Sequence, residues 1–219
     1  MNGGMRNIDF QNGEYYHIYN RGVDKREVFS CDQDFTRFII GMREFNRTNP
    51  IGSLHALKEL NSLAKEFSSL EHDKLVEIIC YCLNSNHFHF LIRQLKDNGI
   101  PKFMQKISTG YTNYFNSKYT RSGSLFQGTY KAIHVKFDSE LFRLSSYING
   151  NPEIHGICKA ENYIWSSYQD YLNKRNGTIC NKKIILNEFD NTIDYKKFTN
   201  LIIQESQETK SEINNYFLE

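Results

Sequence analysis

What this sequence lacks narrows it first. Its five cysteines, Cys31, Cys80, Cys82, Cys158 and Cys180, are odd in number and include no C-x-x-C pair, which argues against a disulfide framework and a zinc knuckle. No apolar run approaches the roughly 18 residues that span a bilayer, and the opening "MNGGMRNIDFQNGEYYH" lacks the apolar core of a secretory signal. A soluble protein of the reducing cytoplasm, with no membrane partner, is the expectation. The net charge is also small, +2 with a pI near 8.2, so any argument for nucleic acid must rest on how charge is distributed. Here one further absence matters. Residues 98–137 contain no Asp or Glu, yet carry Lys102, Lys106, Lys118, Arg121, Lys131 and Lys136 among tyrosines and phenylalanines. Cations for phosphates and rings for bases are what a single-stranded nucleic-acid track needs. A solvated basic face is the plainer alternative. Arg21, Lys25 and Arg26 in "YNRGVDKR" add positive charge near the first turn.

Aromatic residues, by contrast, are plentiful: 14 Tyr and 16 Phe. Residues 14–22 alternate as a strand, and residues 32–46 place Phe35, Phe38, Ile39, Met42 and Phe45 on one helical face, with Asp32 available as N-cap. Leucines from Leu54 to Leu70 suggest a helical excursion over 51–72. Residues 74–83 and 87–95 read as two strands joined by a polar turn. A helix over 100–119 begins near Pro101, a strand covers 129–137, and a short helix runs from Asp138 to Gly150 and Pro152. The order is strand, helix, strand, strand, helix, strand, helix. It predicts an α+β protein of the ferredoxin-like, split βαβ kind, one antiparallel sheet with helices on one face. Residues 1–175 would form this domain, and residues 176–219 an acidic, partly helical C-terminal appendage.

The chemistry-bearing stretch is "LNSNHFHFLIRQ", residues 83–94. On a strand, His87 and His89 share a face, and both imidazoles can reach one divalent ion. Two histidines hydrogen-bonded against an aromatic layer would satisfy the same pattern. "SSYINGNP" adds Tyr147 and Asn151, four apart and so on one side of a helix, although Pro152 pushes the residue before it away from helical geometry. Tyr147 could act as nucleophile and the Asn151 amide oxygen could complete an ion's coordination; a packed tyrosine and a helix-capping asparagine are the alternative. Tyr111 and Tyr114 on the preceding helix have no ligand-type residue four positions on, and read as packing or base-stacking groups. His17 and His134 stand alone on their strands, which suits structural or substrate contacts better than ligation.

Taken together, "YHIYNRG", "YCLNSNHFHFLI", "GYTNYFN", "GSLFQGTYKAIHV", "YINGNP" and "YIWSSYQDYL" resemble, in the same order, the REP-associated tyrosine transposases and related single-tyrosine HUH transposases of insertion sequences. The resemblance covers most of residues 14–172, with Phe88 as the hydrophobic centre of the HUH motif. It implies an HUH endonuclease core that binds a DNA hairpin with a single-stranded flank, as a monomer or homodimer. His87, His89 and Asn151 would hold Mg²⁺ or Mn²⁺. Tyr147 would attack the scissile phosphate, giving a 5′-phosphotyrosine and a free 3′-hydroxyl that can be rejoined to another end. Nucleic-acid contacts would fall to Arg21, Lys25, Arg26, Lys102, Lys106, Tyr111, Tyr114, Lys118, Arg121 and Lys131. Where many relatives have Met-Pro-Asn-His, this chain has Asn84-Ser85-Asn86-His87. A non-catalytic hairpin DNA- or RNA-binding module of the same fold is the alternative function. A plasmid-type replication initiator or relaxase fits less well, since those proteins usually bring further domains.

Overall fold

A computed structural model describes residues 8–49, 52, 54 and 73–216; the helical excursion expected over 51–72 lies outside the described residues except at two positions. Four strands, β1 (Tyr15–Arg21), β2 (Val76–Asn84), β3 (His87–Gln94) and β4 (Lys131–Val135), form one sheet in the order β2-β3-β1-β4. Every neighbouring pair is antiparallel. Interleaved are α1 (Asp32–Glu44), α2 (Gly99–Lys118) and α3 (Asp138–Ile154), followed by α4 (Tyr168–Tyr171), α5 (Lys183–Leu186) and α6 (Thr192–Tyr216). The α+β, split βαβ architecture is therefore present.

Alternation along the strands divides the apolar side chains into two cores. Tyr16 and Ile18 of β1 and Phe88, Phe90 and Ile92 of β3 pack under Phe35, Phe38 and Met42 of α1 and Ile100, Phe103, Met104 and Ile107 of α2. Phe88 and Phe90 are completely buried, each worth about 2–3 kcal/mol against exposure. The opposite face is covered as well. Cys80 and Cys82 of β2, Leu91 of β3 and Val135 of β4 join Leu141 and Ile148 of α3 and Tyr195 and Ile203 of α6. The expectation of helices on one face holds for α1 and α2 and fails for α3, whose Leu141, Ser145, Ile148 and Asn149 are buried. In β2 the register shifts between Ile78 and Cys80. That bulge turns Ile79 and Cys80 toward the second core while Val76, Ile78, Tyr81 and Leu83 face the first.

Three local expectations change. Helix α1 is held at its start by Asp34, whose Oδ2 accepts the Ser30 and Cys31 N–H groups, rather than by Asp32. Helix α3 is held in the same way by Glu140, which accepts the Lys136 and Phe137 N–H groups. It also continues through Pro152 to Ile154, with His155 N donating to Asn151 O at 3.0 Å. A proline removes only its own N–H, and burial of Asn151, Pro152 and Ile154 holds this last turn in place. Finally, the C-terminal segment is built into the second core. Tyr195 is fully buried and its hydroxyl accepts from Asn149 Nδ2 at 2.8 Å. Gly150 lets α3 and α6 approach so closely that a Cβ there would lie 2.5 Å from Ile203 Cγ1.

Candidate active site

The second face of the sheet carries the site. Antiparallel register places Arg21 opposite His87 and Tyr19 opposite His89, with Lys131 of β4 opposite Tyr19 on its other side. Above them runs α3, bringing Tyr147 and Asn151 over the imidazoles. The His89 and Tyr147 rings meet edge to face with centroids 6.1 Å apart, and His87 and His89 are perpendicular at 5.1 Å. Asn151 is fully buried, and its Oδ1 accepts a hydrogen bond from Asn84 Nδ2. The same Asn84 nitrogen lies 2.8 Å from His87 Nε2. The four residues expected at the site, His87, His89, Tyr147 and Asn151, thus share one face, with Asn84 between two of them.

Hydrogen positions around His87 follow from a single backbone carbonyl. Asn86 Nδ2 donates to Lys25 O at 3.1 Å, so Asn86 Oδ1 is the atom that faces His87 Nδ1 at 2.6 Å. An amide oxygen only accepts, hence Nδ1 carries the hydrogen and Nε2 presents a lone pair. That lone pair accepts one Asn84 N–H, and Asn151 Oδ1 accepts the other. The 23–26 turn that supplies the carbonyl is pinned beside the hairpin: Gly22 N donates to Asn86 O, and Val28 N to Ser85 O. Asp24 and Lys25 hold left-handed φ values of 55° and 59° to make this turn.

Burial keeps the neighbouring imidazoles neutral. His89 is pushed well below the ordinary histidine range by desolvation and then by the histidines around it, and desolvation takes His17 down to about 4. Their rings stack at 5.1 Å, with His17 Nε2 2.9 Å from His89 Nδ1, so one of the two nitrogens donates to the other. Tyr19 stacks on both. The Tyr147 phenol is raised above its usual value by burial, an effect the Asn151 amide beside it opposes more weakly. It is therefore protonated at neutral pH and needs help to become a nucleophile.

These residues fit a divalent cation. Two acceptors, His87 Nε2 and Asn151 Oδ1, already converge on one point, the Asn84 amide nitrogen. Among the described residues no three His, Cys, Asp or Glu side chains gather as a metal cluster. A donor set of two imidazoles and an amide oxygen would be uncharged and suited to an ion that keeps open positions.

The residues expected to contact nucleic acid separate into groups. Arg21 and Lys131 are exposed on the histidine face, and Lys25 and Arg26 lie on the turn beside the hairpin, where Arg26 pairs with Asp24 at 3.2 Å. Lys102 and Lys106 sit on α2 behind the sheet, and Lys106 Nζ donates to Arg47 O at 2.8 Å. Tyr111 is 1% exposed, with its hydroxyl on Val28 O, so it is a core residue and not a base-stacking one. Tyr114, Lys118 and Tyr119 all donate to the buried Asp34 carboxylate. The stretch without acidic residues is neutralised here from α1. Arg121 bonds Asn116 Oδ1 on the last turn of α2 and Ser124 O in its own loop. Three residues at the site were not placed there by sequence: His17, read as solitary, which lies against His89; Asn84; and His155, whose ring is 5.4 Å from that of His87. The first is visible only once the β1–β3 register is known.

Residues 53–151, which include His87, His89, Tyr147 and Asn151, match the family "Transposase IS200 like". A solved structure described as a REP-associated tyrosine transposase bound to a REP hairpin shares the fold, with a TM-score of 0.57 at 10% identity over 80% of this chain and 89% of that one. No curated protein matches. The family's segment thus spans the histidine hairpin and the tyrosine helix, and the fold around them is the one shared with that solved structure.

Proposed function

We propose that the protein is a metal-dependent single-strand DNA endonuclease and strand-transferase acting beside DNA hairpins. The observation that carries the reading is the convergence of His87 Nε2 and Asn151 Oδ1 on one point, with Tyr147 on the same helix against His89. His87, His89 and Asn151 would hold Mg²⁺ or Mn²⁺. When bound, the ion supplies Lewis acidity toward a phosphoryl oxygen and offsets charge developing on it. Tyr147 Oη forms a bond to phosphorus as the P–O3′ bond breaks. The phenolic proton leaves to solvent and the departing 3′-oxygen takes one up, leaving a 5′-phosphotyrosine and a 3′-hydroxyl. One phosphodiester replaces another, so a second 3′-hydroxyl can reverse the step and join a new end without added energy. Arg21 and Lys131, flanking the histidine face, would carry the single strand's phosphates. A hairpin as the bound element is carried over from the structural neighbour, whose description names a REP hairpin.

The second reading, a hairpin-binding module without catalysis, draws on the raised Tyr147 phenol. One assay separates them: a 5′-labelled hairpin with a single-stranded flank, incubated with Mn²⁺ and with the wild type or Tyr147→Phe. Cleavage by the wild type alone, with hairpin binding equal in both, is the expected result. Equal cleavage by Tyr147→Phe would refute the assignment of the nucleophile, and no cleavage by either would favour the binding module.

A further inference from the structure

We propose that Asn84 is an internal stand-in for the cation: in the metal-free protein its amide nitrogen fills the place between His87 Nε2 and Asn151 Oδ1, and an incoming ion must displace it. The inference rests on the metal-site reading given above. Asn84 is 1% exposed and lies at the mouth of the β2–β3 hairpin, directly opposite His87. Its amide has two hydrogens, and two acceptors face it, His87 Nε2 at 2.8 Å and Asn151 Oδ1 on the far side. The direction of these bonds is not free to reverse. Lys25 O fixes the Asn86 amide, Asn86 Oδ1 fixes the hydrogen on His87 Nδ1, and His87 Nε2 can then only accept. Turning the Asn84 amide over would set its oxygen against two lone pairs. At the amide's other end, Cys82 Sγ lies 3.5 Å from Asn84 Oδ1 and donates weakly to it.

The consequence is that one residue serves two opposed purposes. Asn84 holds the two ligand atoms aimed at a common point before any metal arrives, because buried acceptors without a donor are costly. It also competes with the ion for those same lone pairs, so cation binding requires that two hydrogen bonds be given up. Weak affinity in the absence of DNA follows, with the phosphate of a bound strand supplying the charge that the uncharged donor set lacks. A hydrophobic residue at position 84 would not compete in this way.

The test measures Mn²⁺ binding, by the loss of the free-ion paramagnetic resonance signal, together with thermal unfolding in EDTA, for the full-length wild type, Asn84→Leu, Asn84→Ala and His87→Ala. Asn84→Leu is expected to bind Mn²⁺ about ten-fold tighter than the wild type, to unfold at a lower temperature in EDTA, and to gain more in unfolding temperature from saturating Mn²⁺. Asn84→Ala, which admits water as a substitute donor, should shift the same way by less, and it carries the test should the leucine variant not fold. Weaker Mn²⁺ binding in these variants would show that the Asn84 amide aids the ion more than it competes with it, and unchanged binding would leave its amide with no part; either result overturns the inference. Binding that survives His87→Ala would overturn the metal site itself. Binding lost in His87→Ala but unchanged in Asn84→Leu would overturn only the present inference. No binding by any of the proteins would end both.

Discussion

Replacing Lys118 with methionine keeps most of the side chain's apolar stem and removes its charge, which asks whether this lysine serves DNA or the fold. Lys118 Nζ lies 2.7 Å from Asp34 Oδ1. Asp34 is fully buried and also accepts from Tyr119 at 2.7 Å, Tyr114 at 3.0 Å and Ser30 N at 2.9 Å. Burial alone would raise the Asp34 carboxyl; Lys118, Tyr119, Ser30 and Tyr114 together outweigh it and hold the group below its ordinary value. Stranding a buried charge by deleting its partner typically costs about 3–5 kcal/mol. Here the remaining donors still solvate the carboxylate, so about 2–3 kcal/mol is expected, or about 5–10 °C in unfolding temperature for a chain of this size. Because the folded pKa is depressed, this stabilisation is present above the unfolded carboxylate value near 4 and is lost as pH falls through the folded value. The gap between wild type and variant should therefore be widest near neutrality and narrow in acid. Hairpin affinity, measured at fixed salt, should be unchanged, whereas Arg21→Ala and Lys131→Ala should each weaken it and flatten its salt dependence by about 0.7 in log–log slope. A Lys118→Met protein of wild-type stability with reduced DNA affinity would refute this assignment and restore Lys118 to the nucleic-acid track.

Two further outcomes follow from the same structure. Deleting residues 176–219 should abolish cooperative unfolding, because Ile185 and Tyr195 are completely buried and Asn149 of α3 loses its partner on Tyr195; a truncated chain with wild-type stability would show the segment to be an appendage after all. Since burial raises the Tyr147 phenol, the ultraviolet titration difference between wild type and Tyr147→Phe in EDTA should have its midpoint above 10, and Mn²⁺-dependent cleavage should increase with pH between about 7 and 9. A midpoint at or below 10 would contradict the burial argument.

The order of elements and the histidine pair were legible because they depend on local pattern. Period-two alternation puts His87 and His89 on one face whatever the partner strand, and helical spacing puts Tyr147 and Asn151 on one side of α3. Contacts made at long range were not legible. His17 reads as solitary until register sets β1 beside β3, and the freedom of Lys118 from acidic neighbours is true of its own segment and false across α1 and α2. Tyr111 illustrates the same limit: a tyrosine on a basic amphipathic helix can face solvent or core, and only the position of Val28 decides it. The bulge at Ile78 and Cys80 adds one residue without any glycine or proline to mark it, and it sets which β2 side chains reach α3. Pro152 misled in the other direction, since its local rule predicts a helix end that burial of the last turn overrides.

The account's central claim is that Tyr147 is the residue that joins to DNA. Its most direct test traps the covalent complex formed with Mn²⁺ and a hairpin substrate carrying a single-stranded flank, digests it with protease, and locates the attached nucleotide by mass spectrometry. A 5′-phosphate ester on the peptide containing Tyr147, absent in His87→Ala, is the result predicted. An adduct on another tyrosine, or cleavage with no protein–DNA adduct under conditions that preserve phosphotyrosine, would contradict it.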